Sequence, residues 1–560
     1  MKWRRPLRKD PEIAPDEIFL DAGASGFDRQ QFEGRLEQPL SRGVFFSLSG
    51  VLILLFIILI VRAGNLQILQ GEAFARMSAQ NRLESHILFA PRGVITDANG
   101  IVLAENAQLP DGSIRRVYPY PELGSVIGYV SYPKKDAKGV YYETEEKGVI
   151  GLEAAHDGLL SGENGQVLTE TDALGAVRSE GILIPAKSGE TLVLAIDADL
   201  ERRFAAAIRG VVESKGFIAG SGVILDVRSG AVRAIVSYPS YDPNIMSDGS
   251  PAATIRSYGS DPGHPFLNHA VQGLFTPGST VKPFIAAGAL TDRLITPSTV
   301  INDAGSISLP DPYHAGKRFI YNGWKALGPV DVKKAIAWSS DIFFYTVGGG
   351  FGSQKGLGIE RLKYWYEQFG LGIPTGVDLP GEAEGLIPDP AWKQTALDEP
   401  WYLGDTYFTS IGQYSMQVTP IQLARATAAI ANGGRLYTPS LVEGHAPAFT
   451  TVPVSPEALA IVREGMRMTV TEALAGALNV PYVKVAAKTG TAETGTRNQY
   501  DNSWVEGFFP YENPQYAFVV VLERGPAGSG SQAVNAMRLF LDSLYNANSP
   551  YVGGTATSTR

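Results

Sequence analysis

Hydrophobic and polar positions divide this chain into three regimes. From Val44 to Val61 no residue is charged, and Leu52 to Val61 consists of Leu, Ile, Val and Phe. About 18 such residues just span a bilayer core, so the pattern predicts one membrane helix over residues 44–62. A cleaved signal peptide would need a shorter run and a small-residue cleavage site; here Arg62 follows directly and no such site is in place. Residues 1–43 are polar, mixed in charge and aperiodic, which predicts a disordered tail. Its start carries Lys2, Arg4, Arg5, Arg8 and Lys9, favouring a cytoplasmic amino terminus with everything beyond Arg62 outside. Beyond the span, Leu66, Leu69, Phe74 and Met77 keep helical spacing.

The second regime, residues 63–190, alternates short apolar stretches with Gly, Tyr, Pro and charge. Ala90 to Ala104 reads as two short strands around an Asn99-Gly100 turn. With few long apolar runs, this segment is expected to be an extended, loosely cored, β-rich module. The third regime, 191–545, is denser. It predicts a strand over Thr191–Ile196, a helix over Leu200–Val212, and a hairpin of Gly222–Val227 with Ala231–Ser237 about Arg228-Ser229-Gly230. A helix from Thr419-Pro420 to Asn432-Gly433-Gly434 has its cap, first-turn proline and glycine stop in order. Tyr482–Ala487, Ser503–Phe509 and Tyr516–Leu522 predict three further strands. The expected fold is therefore α+β: an antiparallel sheet of five strands flanked by helices from the middle of the chain. Residues 546–560, rich in Gly, Ser and Thr, read as a flexible tail.

Composition narrows the function. At 560 residues the chain exceeds one ordinary domain, and 44% hydrophobic content is that of a folded protein. A net charge of −9, with no basic stripe beyond the first ten residues, gives no reason to expect nucleic acid. There is no cysteine, hence no thiolate chemistry, and the six histidines are scattered without metal-ligand spacing. No Gly-x-x-x-x-Gly-Lys phosphate loop occurs, and Gly370-x-Gly372 precedes Pro374 rather than a helix, so it reads as a turn. No metal or organic cofactor is expected.

The candidate chemistry centres on Phe275-Thr276-Pro277-Gly278-Ser279-Thr280-Val281-Lys282-Pro283. The Pro-Gly turn and the apolar run Phe284–Leu290 predict a helix starting at or just after Ser279. That places the hydroxyl at the positive end of a helix dipole, with Lys282 three residues on along the same face. A neighbouring amine of lowered pKa can take the proton that keeps a hydroxyl from being a nucleophile. Alone, Ser-x-x-Lys is equally a helix cap followed by a solvated lysine. Ser131-Tyr132-Pro133-Lys134 is a decoy, because its proline sits in a polar loop. Two further motifs add weight: Ser339-Ser340-Asp341 between helical segments, and Lys488-Thr489-Gly490-Thr491 expected at the end of a strand. Each is also an ordinary cap or strand exit. The order of the three within one domain is the signature of penicillin-binding proteins and serine β-lactamases.

From the membrane anchor to residue 545 the chain resembles the class B penicillin-binding proteins. Arg92-Gly93-Val94-Ile95-Thr96-Asp97 and Gly148-Val149-Ile150-Gly151-Leu152-Glu153 resemble elements of their non-catalytic pedestal, or dimerisation, domain. Gly404-Asp405-Thr406, Ser410-Ile411-Gly412-Gln413 and Thr419-Pro420-Ile421-Gln422-Leu423-Ala424 are similar to the elongation-type branch, penicillin-binding protein 2, as is Ser-x-Asp in place of Ser-x-Asn. Tyr414, where the family usually has glycine, and His269, where arginine is usual, depart from the pattern.

The resemblance implies a peptidoglycan D,D-transpeptidase acting through a serine acyl-enzyme and inhibited by β-lactams. Ser279 would be the nucleophile, Lys282 its base with its pKa lowered by Lys488, and Ser339 a proton relay. Asp341 would orient either Lys282 or the substrate amide, and Lys488, Thr489, Gly490 and Thr491 would bind the stem peptide, which would add to an edge strand where Gly490 leaves room. The backbone amides of Ser279 and Thr491 would form the oxyanion hole. The implied partner is a multi-spanning glycan polymerase of the shape, elongation, division and sporulation family. The implied location is the inner membrane, single-pass, with the catalytic domain periplasmic. The competing expectations are a division-specific transpeptidase, a β-lactam sensor, a non-catalytic scaffold and a β-lactamase. No Glu-x-x-Leu-Asn-like segment for water delivery lies between Ser339 and Lys488, which disfavours the last.

Overall fold

A computed structural model of the chain describes residues 42–80, 83–109, 114–137, 140–171, 177–311, 314, 316–495 and 498–553. The expected tail over 1–43 lies almost wholly outside the described residues. The apolar run forms helix α1 (Arg42–Gly64), which continues through a π-turn at Asn65–Leu69; a further helix follows at Gly71–Gln80. Among the described residues this is the one helix long and apolar enough to cross a membrane, and none of its side chains is buried by protein.

The Asn-Gly hairpin is present as strands β1 (Ile95–Thr96) and β2 (Val102–Gln108), with Asp97 Oδ1 accepting from the amides of Asn99 and Ile101 at 2.8 and 2.7 Å. Strand β3 (Ile114–Val117) follows β2, and β4 (Leu192–Val193) runs parallel to β1. The strand expected over Thr191–Ile196 is thus only two residues long and belongs to this small sheet. Beyond it, Leu194 and Ala195 bond to Thr96 and Leu441, and Asp197 caps the next helix.

The module is not loosely cored. Leu103, Ala104, Leu123, Val126, Ile127 and Leu152 are buried and continuous with the core of the larger domain. Beside them Glu153 is wholly buried, with its two oxygens on Arg92 Nε (2.6 Å) and Arg116 Nε (2.8 Å). A core assembled from one or two residues of many short elements leaves no long apolar run to read.

In the larger domain, α2 (Ala198–Lys215) precedes the hairpin β5 (Ala219–Asp226) and β6 (Val232–Tyr238). Helices α3 (Lys282–Thr291), α4 (Val332–Ala337), α5 (Asp341–Gly349), α6 (Pro420–Ala431) and α7 (Pro456–Thr471) follow. Thr419 and Gln422 form a reciprocal capping box at α6, with Pro420 in its first turn. Strands β7 (Ala486–Thr494), β8 (Tyr500–Phe509) and β9 (Tyr516–Pro526) complete one antiparallel sheet of order β6-β5-β9-β8-β7, and α8 (Gln532–Asn546) closes the domain. Alternation sorts the sheet into two faces. Ala517, Val519 and Val521 join the core of α3 to α7, whereas Phe518, Val520 and Leu522 join that of α2 and α8.

Two boundaries differ from expectation. The apolar residues Val483 and Val485 pack as a loop, because Lys484 and Val485 give their carbonyls to Tyr511 N (2.8 Å) and Arg467 Nη1 (2.7 Å) instead of a strand. Strand β7 begins at Ala486 and runs on through Thr494, so Lys488-Thr489-Gly490-Thr491 lies inside it rather than at its exit. After α8 the chain makes a short 3₁₀ turn at Pro550–Val552 with Val552 buried, so the flexible tail expected from 546 does not start there; residues 554–560 lie outside the described residues.

Glu201 of α2 is buried and accepts from the Ile235 amide at 2.7 Å, and burial pushes its carboxyl up to about 8. A folded-state value above the ordinary 4.5 means that the proton favours the fold. The contribution is complete below the ordinary value and is lost as pH rises through the folded one. Thermal midpoints should fall between about pH 5 and about pH 9. Glu201→Gln, which keeps the acceptor oxygen, should flatten that fall; parallel profiles for the two proteins would contradict the assignment.

Candidate active site

Three segments distant in sequence meet at the end of the sheet. The first is held in place before its helix begins. Phe275 exchanges backbone hydrogen bonds with Val418, Gly278 N donates to Gly412 O (2.8 Å), and Trp504 Nε1 of β8 donates to Thr276 O (3.1 Å). Gly278–Val281 is a single 3₁₀ turn leading into α3, with Pro283 in the first turn. Gly278 has φ +57°, and a Cβ there would lie 2.8 Å from Thr491 O, so both conformation and approach to β7 require glycine. Ser279 is half-buried at the turn's surface.

The second segment is the α4–α5 junction. Ser340 caps α5 by accepting from Phe343 N (3.1 Å) and donates its own proton to Asp303 Oδ2 (2.6 Å). This leaves Asp341 in the first turn of α5, where its Oδ2 accepts from Trp324 N (3.2 Å). Ser339 sits between the helices at φ +57°, a strained value for a residue with a side chain, and points its hydroxyl inward.

The third segment is β7. Gly490 differs from expectation: a Cβ there would lie 2.8 Å from Thr280 Cγ2 and 2.9 Å from Pro277 O. The missing side chain therefore admits the Ser279 turn to the strand rather than making room for a substrate. Thr491 O accepts from Gln413 Nε2 at 3.4 Å, tying the strand to the segment after Ser410.

The side chains converge on the Ser339 hydroxyl. Lys282 Nζ lies 3.1 Å from Ser339 Oγ, 2.8 Å from Ser339 O and 2.6 Å from Asp341 Oδ1. Lys488 Nζ lies 3.0 Å from the same Oγ and 2.7 Å from Thr489 O. Both lysines are wholly buried. Three acceptors match the three protons of a Lys282 ammonium, so none is directed at Ser279 in this state. Burial lowers the Lys282 pKa, opposed by Asp341 and then by Asp303. Burial lowers Lys488 much further, with the Lys282 charge adding to it and Glu506 and Asp341 opposing. Both shifts are thus downward; the Asp341 carboxylate in contact opposes the one at Lys282, whereas among the described residues no carboxylate is in contact with Lys488.

Residues 220–542 match the penicillin binding protein transpeptidase domain, and residues 110–194 match the penicillin-binding protein dimerisation domain. The chain belongs to the penicillin-binding protein transpeptidase family. It is similar to the peptidoglycan D,D-transpeptidase MrdA of Escherichia coli K12, at 33% identity over 77% of this chain and 71% of that protein. To MrdA of Acinetobacter baumannii it is 30% identical, over 90% of this chain and 88% of the relative. A solved structure described as "Structural coordination of polymerization and crosslinking by a peptidoglycan synthase complex" superposes with a TM-score of 0.71 at 29% identity, covering 92% of this chain and all of the other.

For this penicillin-binding protein, sequence reasoning brought together all three motifs but missed Asp303, Trp324, Glu506 and Thr427, whose hydroxyl donates to Glu506 Oε2 at 2.8 Å. Of these, Asp303, Trp324 and Thr427 are common residues with no distinguishing spacing. Glu506 carried a signal, as a lone charge inside the strand run Ser503–Phe509.

Because Asp341 is the carboxylate in contact with a buried ammonium, Asp341→Asn should destabilise the protein by about 3 kcal/mol. Lys282→Met combined with Asp341→Asn should recover most of that loss in urea unfolding. Additive losses in the double variant would show that the pair is not the source.

Proposed function

We propose that the protein is an elongation-type peptidoglycan D,D-transpeptidase, a serine enzyme that cross-links stem peptides ending in D-Ala-D-Ala. The observation that carries this reading is one hydroxyl, Ser339 Oγ, within hydrogen-bond reach of two buried lysines beside the turn that presents Ser279.

Ser339 Oγ accepts from both amines, which leaves its own proton to donate towards the cleft. In the proposed reaction Lys282 releases its resting proton to solvent as a substrate displaces its present partners, and as the neutral amine that burial favours it takes the Ser279 proton while a bond forms between Ser279 Oγ and the penultimate D-Ala carbonyl carbon. The peptide C–N bond breaks, and the terminal D-Ala leaves as an amine that gains a proton through Ser339. An amine from a neighbouring stem peptide then attacks the ester carbonyl; a new peptide bond forms, the Ser279 ester bond breaks, and Ser279 regains its proton. Lys488 with Thr489 and Thr491 receives the substrate's terminal carboxylate. The backbone amides of Ser279 and Thr491 form the oxyanion hole, a contribution of about 3 kcal/mol per donor. A β-lactam enters the same route, but its ring nitrogen stays attached after acylation and obstructs the acceptor amine.

The apolar helix α1 suits a single span of the inner membrane with a cytoplasmic amino terminus and a periplasmic catalytic domain. A multi-spanning glycan polymerase is the partner proposed for the span and pedestal. The resemblance to a component of a synthase complex that coordinates polymerization with crosslinking supports it.

Incubation with a fluorescent penicillin followed by peptide mapping should place the adduct on Ser279, with a lifetime of hours. Ser279→Ala should abolish labelling, and Ser339→Ala should slow it by roughly 100-fold. A label on another residue, a label persisting in Ser279→Ala, or turnover within seconds would contradict the proposal.

A further inference from the structure

Glu506 is the lone charge between Ser503 and Phe509 in β8, and it faces the catalytic side of the sheet. It shares strand parity with Trp504 and Phe508, both of which join the core of α3 to α7. Directly across the ladder from it is Lys488. Facing residues in an antiparallel pair hold their Cβ atoms about 5 Å apart on one face, and both of these side chains are wholly buried. Glu506 Oε2 accepts from Thr427 Oγ1 of α6 at 2.8 Å, while Oε1 is buried without a hydrogen-bond partner among the described residues. On the other side of Glu506, β9 presents Val519. Lys488 is therefore the titratable group set against this carboxyl.

We propose that Glu506 is a positioning residue for Lys488, the counter-charge that keeps this amine cationic for the terminal carboxylate of the substrate. The site then contains two amines and two carboxyls in matched pairs around Ser339. Lys282 has Asp341 in contact at 2.6 Å, and Lys488 has Glu506 behind it. Burial acts on both members of the second pair, pushing Lys488 down and Glu506 up. Each opposes the shift of the other, and the Thr427 hydroxyl helps hold Glu506 as the carboxylate. A side chain serving only to fill this space would not need a charge, and an apolar residue would avoid the desolvation penalty.

The inference rests on Lys488 receiving a carboxylate in the proposed reaction, and a penicillin carries one. The test is the pH profile of Ser279 acylation by a fluorescent penicillin, read with the full chain. Glu506→Gln keeps the shape and removes the charge, so the alkaline limb should move down by about one pH unit. Glu506→Asp, which keeps the charge, should restore part of that shift. Thr427→Val removes only the donor that favours the carboxylate, so it should move the limb in the same direction by less; it carries the test if Glu506→Gln does not fold. A normal Ser279 adduct with unmoved limbs in folded Glu506→Gln and Thr427→Val overturns this inference alone. A wild-type protein that forms no Ser279 adduct overturns the proposed function and this inference with it.

Discussion

Two lysine amines buried against a single serine hydroxyl impose the constraint that organises this domain. Removing an ammonium from water costs several kcal/mol even after relaxation, so two such groups sharing one oxygen persist only if the surroundings return most of that cost. Here the return comes from three places in the chain. Asp341 and the Ser339 carbonyl serve Lys282, and the Thr489 carbonyl serves Lys488. The compensation is unequal, because one amine has a carboxylate in contact and the other does not. In the proposed reaction the two amines take different parts, Lys488 holding the anionic substrate and Lys282 transferring a proton.

Bringing three segments so close is first a steric problem, and the backbone carries its solution. Gly278 and Gly490 face each other's segments at distances where a Cβ would collide, and Ser339 adopts a left-handed conformation to turn its hydroxyl between the lysines. Strain at Ser339 costs on the order of 1 kcal/mol or more and is tolerated because the helices on either side are packed into the main core. The indole of Trp504, donating to the carbonyl of Thr276 from the neighbouring strand, joins the sheet to the nucleophile turn without occupying the cleft.

Much of this was legible in the sequence, for reasons that differ by element. The apolar helix α1, the β5–β6 hairpin and α6 announce themselves through local physics: an uncharged run, a two-residue alternation and a complete set of caps. The meeting of Ser279, Ser339 and Lys488 was legible only because three short motifs in a fixed order resemble a known family. No local rule brings them together. What stayed hidden depends on long-range partners. The start of β7 was misplaced because Val483 and Val485 are apolar for the sake of a packed loop. The pedestal core was missed because it is built from scattered residues around the buried Glu153. Glu506 could have been noticed as a charge in a strand that is otherwise buried, but its partner Lys488 is set by register across two strands.

The most direct measurement of the central claim is a pH titration of the two buried amines by NMR in the detergent-solubilised full chain labelled with ¹³Cε-lysine. The account predicts one resonance that titrates well below the ordinary lysine value of 10.5 and disappears in Lys488→Met, with the Lys282 resonance titrating above it. If both resonances titrate together with the surface lysines, the two amines do not share a buried hydroxyl and the account is wrong.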